Sequence, residues 1–303
     1  MDGGERDLKR NAFDSIHPIV EIAFFAFTLA MPMLFLHPVM LGISFATSLI
    51  WFLMIKGRKS ISFLLKFVLP VMVAAAVLNP AFNHRGMTIL FYLRYNPITL
   101  ESVFYGAASA AMFGTVLLWF ACFNAIMTSD KIIYLFGRII PSLSLIISMV
   151  FRFVPLFKEQ TARIALARRC MGEDVRKGDL MKRVKNGLAI LSALISWALE
   201  NSIITADSMR ARGFGLRGRT NFSRYRFDGR DVMIGILLAL GMGFVSFGVT
   251  SNTISIRYFP RFVMNKFSPL AIACCAVYAL TLMIPIIINL KEAAVWRCLK
   301  SKI

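Results

Sequence analysis

Stretches of roughly 17 to 25 apolar residues, separated by short polar connections, recur along the chain, and each is long enough to cross a bilayer as a helix. They fall at about 18 to 36, 38 to 55, 62 to 78, 103 to 127, 232 to 250 and 268 to 290, which predicts six membrane helices. His37-Pro38 hinges the first two into a tight hairpin, because Pro cannot continue a helix, and Lys56-Gly57-Arg58-Lys59 closes the pair. Asn79-Pro80 ends the third, and a polar connection holding Asn96-Pro97 leads to the fourth. From 128 to 230 the pattern breaks and the chain turns basic and mixed. The organisation expected is 1–127 for membrane helices 1 to 4, 128–230 for a cytoplasmic helical region, and 231–303 for membrane helices 5 and 6.

The middle region keeps a helical period. Leu180, Val184, Leu188, Leu191, Ile195, Leu199 and Ile203 recur at three and four residues and define one apolar stripe, expected to be held by the membrane domain. Between Leu188 and Leu199 the helix is apolar nearly all round, so its middle must be covered by the membrane domain or lie at the bilayer. Lys182, Arg183 and Lys185 near its start suit anionic headgroups, and its end, Met209-Arg210-Ala211-Arg212-Gly213, stops at Gly. Upstream, Phe157, Ile164, Ala167 and Met171 outline a second helix that ends at Gly172, with Pro155 expected at its start.

Charge agrees with this partition. The chain carries 35 Lys and Arg against 16 Asp and Glu, a formal net charge of +19. With the N-terminus inside, 29 of the 35 fall in the tail, at 56 to 59, in 128 to 230 and after 290. The outer loops hold Arg85, Arg94, Arg257, Arg261 and Lys266, and Lys66 lies within the third span. Cationic connections stay in the cytoplasm, so both termini and the basic region are expected there, in a multi-pass protein of the cell membrane. The first fifteen residues are polar and no small-residue cleavage site follows, so no removable signal peptide is expected. Nucleic acid is not an expected partner, because the cations flank apolar spans instead of covering a soluble fold. With 57% hydrophobic residues, 27 Phe and 17 Met among 303, the fold class is an all-α polytopic membrane protein: about six transmembrane helices plus two long cytoplasmic helices.

Two blocks 41 residues apart carry the chemistry: Ala167-Arg168-Arg169-Cys170-Met171-Gly172 and Met209-Arg210-Ala211-Arg212-Gly213-Phe214. Arginine offers a planar fork of donors, so one at a helix end can hold a carboxylate and backbone carbonyls in a partner's groove, and a small neighbour lets the surfaces close. Met gives an adaptable apolar plug instead. Arg168, Arg169, Arg210, Arg212, Arg217 and Arg219 also fit cationic residues touching lipid phosphates, the reading kept for Arg217 and Arg219, whereas Arg212 is expected to dock.

The run Ile140-Pro141-Ser142-Leu143, Arg152-Phe153-Val154-Pro155, Ala167 to Gly172 and Ala206-Asp207-Ser208 to Phe214 resembles the transmembrane T component of energy-coupling factor transporters, the CbiQ-like family. The resemblance covers most of the chain and is strongest from about 138 to 216. It implies two long coupling helices crossing over the cytoplasmic face, with small-Arg-Gly ends seated in two ABC-type ATPases. It also implies a separate substrate-binding membrane subunit, the S subunit, held on the same platform. Ala211-Arg212-Gly213 matches the family motif residue for residue, whereas Cys170-Met171-Gly172 has Met where the family has Arg. Arg168 or Arg169, one turn back, is the candidate replacement, with Arg210 as further support at the second end.

Other candidates are weaker. Glu21, one turn inside the first span, is expected to reach water, with a proton relay as the alternative. His17, His37 and His84 show no metal spacing, nor do Cys122, Cys170, Cys274, Cys275 and Cys298, so no metal or other cofactor is expected. Gly106-Ala110-Gly114 and Gly235-Ala239-Gly243 form ridges for close helix packing or for the S subunit. Glu200 and Asp207 are expected to pair with basic residues of the other long helix. No P-loop or hydrolase motif occurs, so ATP must be hydrolysed by partners. The resemblance thus implies a non-catalytic coupling subunit for uptake of a vitamin or a transition-metal ion. A self-sufficient secondary transporter built on Glu21, and an intramembrane enzyme, are the alternative classes for such a chain.

Overall fold

A computed structural model describes residues 12–83, 85–93, 96–139, 141–174, 179–214, 216, 225, 227–251, 254, 256–264 and 268–300. His84, Arg94, Ile140, Arg217, Arg219 and Lys266 lie outside the described residues. The chain packs as two compact units, Met1–Lys131 with Tyr225–Ile303, and Ile132–Arg224.

In the first unit a short 3-10 turn, Ala12–Ser15, leads into α1, Pro18–Leu34. Pro18 stands at the helix start, where its fixed φ is pre-set, and His17 Nδ1 caps the Ile19 N–H at 3.3 Å. α2, Pro38–Lys56, follows after His37, whose imidazole burial holds its pKa below the usual range. α2 stops at Gly57, which adopts φ +56. The third span is a composite: α3 (Arg58–Phe63), a π-helical turn (Leu64–Val68) and α4 (Leu69–Phe82). Pro70 lacks the N–H that would reach the carbonyl four residues back, and the ladder there widens, with the Leu69 N–H bonding the Leu64 carbonyl.

The hairpin β1 (Ile89–Leu93) and β2 (Asn96–Thr99) then opens α5, Leu100–Ile126, capped by the Thr99 hydroxyl. α6 (Ser129–Ile139) starts in this unit. After the second unit, the first resumes with α9 (Gly229–Thr250), a short pair β3 (Ile256–Arg257) and β4 (Val263–Met264), and α10 (Pro269–Lys300).

Gly106 and Gly114 on α5 let α4 come close: a Cβ at Gly106 would stand 2.9 Å from the Ala76 carbonyl oxygen, and one at Gly114 2.5 Å from the Met72 sulfur. That ridge is spent on internal packing. On α9 the closest approach is at Gly241, against Thr281 of α10. Gly235 and Ala239 instead line a groove of about 370 Å³ between α1 and α9, and among the described residues nothing stands within 4 Å of a Cβ at Gly243. The core is aromatic: Phe25 stacks on Trp51 (5.7 Å, 12°), Trp51 meets Trp119 edge-on at 5.5 Å, and the Trp119 Nε1–H donates to Ser44 Oγ at 2.9 Å. At one end of the bundle Tyr258 caps the α1–α2 hinge by donating to the Leu36 carbonyl, and packs on Tyr105 at 5.3 Å.

Among the described residues, six helices are long and apolar enough to cross a membrane: Pro38–Lys56, Ser60–Phe82, Leu100–Ile126, Leu180–Ala211, Gly229–Thr250 and Pro269–Trp296. Five of these are expected spans. The first expected span, α1, is a shorter apolar helix of 17 residues, and Leu180–Ala211 is the long helix of the basic region.

Candidate functional site

The second unit is built from α7 (Pro141–Cys170) and α8 (Leu180–Ala211). α7 begins at Pro141, so Pro155 is not its start; it sits mid-helix, leaving the Phe151 carbonyl without its intrahelical donor. Asp179 caps α8, its carboxylate accepting the Leu180 N–H at 2.9 Å. The chain reverses between the helices, and α8 returns past α7 with Phe157 against Trp197 (5.8 Å, 77°) and the Asn186 Nδ2–H bonding the Asp174 carbonyl at 3.5 Å. Ile190, Leu194, Trp197, Asn201, Thr205 and Met209 form the partly covered seam of α8, and Phe153, Phe157, Thr161, Ile164 and Arg168 that of α7.

The predicted stripe is therefore not the packed one. Leu180, Val184, Leu188, Leu191, Ile195, Leu199 and Ile203 are all exposed, from 50% at Leu191 to 73% at Leu180. The helix is apolar nearly all round, and periodicity alone selected its outer face.

The two helix ends share one backbone geometry. At the end of α7 the Glu173 N–H bonds the Arg168 carbonyl at 3.0 Å and the Gly172 N–H bonds the Arg169 carbonyl at 3.1 Å, with Gly172 at φ +87. At the end of α8 the Phe214 N–H bonds the Met209 carbonyl at 3.0 Å and the Gly213 N–H bonds the Arg210 carbonyl at 2.9 Å, with Gly213 at φ +81. Both are Schellman motifs, which satisfy the last carbonyls through a left-handed residue that Gly adopts without a Cβ clash. Cys170-Met171-Gly172 and Ala211-Arg212-Gly213 thus occupy equivalent places, with Met171 and Arg212 in the same position.

Their electrostatics differ. Arg168 pairs with Glu173, and Arg169 Nε lies 3.4 Å from Asp174 Oδ2. Among the described residues Arg210 and Arg212 make no ion pair, and both are exposed. The expected pairing of Glu200 and Asp207 with the other long helix does not occur either: among the described residues neither makes an ion pair.

The family model described as CbiQ, cobalt transport protein, matches residues 10–222. The chain belongs to the CbiQ family. Curated relatives named energy-coupling factor transporter transmembrane protein EcfT are similar to it. The protein of Listeria innocua is 25% identical over 209 residues, covering 64% of this chain and 78% of its own length. That of Brevibacillus brevis is 25% identical over 195 residues, covering 60% and 73%. That of Streptococcus thermophilus is 31% identical over 110 residues, covering 36% of this chain and only 41% of its own length. This CbiQ-family chain is thus a multi-pass membrane protein, similar to transmembrane proteins of energy-coupling factor transporters.

One polar centre of the membrane unit escapes sequence reasoning. Glu21 does not reach water: it is 0% exposed, and its oxygens lie 2.7 and 2.9 Å from Lys131 Nζ. Lys131, itself 3% exposed, also reaches Asp14 Oδ1 at 2.7 Å and the Asp14 carbonyl at 2.9 Å. It stands in the first turn of α6, 110 residues from Glu21, too far for any local pattern to announce. His17 is stacked on Phe227 (3.9 Å, 28°). Cys122 and Cys274 are buried free thiols, and Cys170 and Cys298 are exposed.

Proposed function

We propose that this chain is the non-catalytic subunit that couples ATP hydrolysis by two ABC-type ATPases to uptake through a separate substrate-binding S subunit, the cargo being a vitamin or a transition-metal ion. The observation that carries the reading is the pair of matching helix ends. Each closes a helix of about 45 Å, at 1.5 Å per residue, and each presents an exposed side chain, Met171 or Arg212, at the same turn position. Because the chain reverses after α7, almost the whole length of α8 lies between them, room for two docking partners.

The docking residues are Cys170, Met171, Gly172, Ala211, Arg212 and Gly213, with Arg210 beside the second end; Arg168 and Arg169 stand next to the first, facing Glu173 and Asp174. Both termini and residues 128–230 lie on the cytoplasmic side, where the ATPases have access to nucleotide. The exposed outer face of α8 at Leu188, Leu191, Ile195 and Leu199 is the seat of the S subunit, whose own apolar surface would cover it.

The test is purification of the tagged chain from its own membranes. ABC-type ATPases carrying a P-loop, and a further membrane protein, are expected to co-purify, with ATP-dependent uptake recovered in vesicles holding all of them. Uptake by the chain alone, driven by an ion gradient, would overturn the reading. Orientation is checked with Tyr92→Cys and Lys185→Cys in a Cys-free background. An impermeant external thiol reagent is expected to label the first and spare the second.

A further inference from the structure

Superposing the two Schellman motifs position by position sets Arg168 against Met209, Arg169 against Arg210, Cys170 against Ala211, Met171 against Arg212 and Glu173 against Phe214. An arginine and a methionine have traded places. In the α8 end, Met209 and Phe214 hold the two positions at which an apolar contact usually closes this motif, and Arg212 is left at the tip. In the α7 end the same two positions hold an ion pair, Arg168 with Glu173, and the tip is Met171.

The backbone bond from Glu173 to Arg168 brings those side chains together, so the pair is made by the turn itself. Arg168 is 22% exposed in its side chain and Glu173 50%, and Arg169, 64% exposed, keeps its Nε 3.4 Å from an Asp174 carboxylate that is 15% exposed. Met171 is 69% exposed. The wider segments agree: residues 168 to 179 carry four Lys or Arg and three Asp or Glu, whereas 207 to 219 carry four Arg and one Asp.

We infer that the α7 end docks as an apolar plug through Met171, in a partner groove lacking the carboxylate that the α8 end requires, while Glu173 and Asp174 withhold Arg168 and Arg169 from the contact. This rests on the docking role proposed above and specifies its partner chemistry. A groove built around a carboxylate would place that group against Met171 with no donor, the costly case for a desolvated charge. The flexible thioether, in contrast, fills an irregular apolar groove. The two grooves of the ATPase pair are therefore unlike: one acidic, one apolar.

The experiment uses the full complex in nanodiscs and reads retention of its ATPases as salt is raised from about 50 to about 500 mM, a range that screens exposed charge and leaves apolar contacts standing. In Arg212→Ala the binding that remains runs through the α7 end, and it is expected to change less than about twofold across that range. In Met171→Ala it runs through the α8 end and is expected to fall tenfold or more on the same footing. Arg168→Ala/Arg169→Ala is expected to stay within about twofold of wild type at every salt concentration, since those cations are already paired. Equal salt slopes in Arg212→Ala and Met171→Ala, or a tenfold loss in the double arginine variant, would overturn the apolar plug while leaving docking intact. Wild-type retention in all three variants would overturn docking itself and this inference with it.

Discussion

In the membrane unit an aromatic core is closed: Trp51, Trp119 and Phe24 have no exposed surface. In the basic unit Leu180, Leu188, Leu199 and Ile203 are each at least 60% exposed, and only Ile190 of α8 is buried. The membrane unit buries one charge cluster, Lys131 between Asp14 and Glu21, whereas Arg210 and Arg212 of the basic unit have no ion-pair partner among the described residues. The first unit holds a closed aromatic core and a buried charge cluster. The other carries apolar faces and cations that only further surfaces can satisfy, as suits a part that works by contact.

Substitutions can break this contrast from either side, and the largest effect is expected at Lys131. Lys131→Met leaves Glu21 buried without a counter-charge and should lower the stability of the detergent-solubilised protein by about 3 to 5 kcal/mol. Lys131→Met/Glu21→Gln removes both charges and should recover most of it. A thermal unfolding series on the two variants checks this, and equal losses would mean that the pair is not the source.

Next in size is Ser196→Pro, in the middle of α8. It removes one backbone hydrogen bond and clashes with the preceding turn, costing about 3 kcal/mol locally. Because the membrane unit packs on its own elements, insertion should survive while ATP hydrolysis and uptake become uncoupled. Transport at the wild-type rate would rule out a rigid α8.

Smaller still is Leu191→Ser on the exposed face of α8. Folding stability should move by no more than about 0.5 kcal/mol, because half of the side chain is already exposed. Retention of the S subunit should drop. If stability falls instead, the face is covered within the chain.

The spans were readable from sequence because a bilayer forces each crossing to be a long apolar helix. The helix ends were readable because Gly172 and Gly213 supply a backbone conformation that few residues adopt. Four features were not. The start of α7 was misplaced because Pro155 lies inside a helix that tolerates it. The outer face of α8 was mistaken for its seam, since an all-round apolar helix has no single preferred side. The Glu21–Lys131 pair joins residues 110 apart, and the pairing of Arg168 and Arg169 with Glu173 and Asp174 depends on how the turn folds.

The central claim is that the basic unit acts by docking its helix ends, and Arg212→Glu tests it most directly. Reversing the charge at the fork should cost about 2 to 5 kcal/mol at that contact, so the tagged chain should retain its ABC-type ATPases at least tenfold less well in a pull-down at low salt. The membrane unit should stay folded by the thermal unfolding measure used for Lys131. Retention equal to wild type, from a protein equally well inserted, would contradict the account.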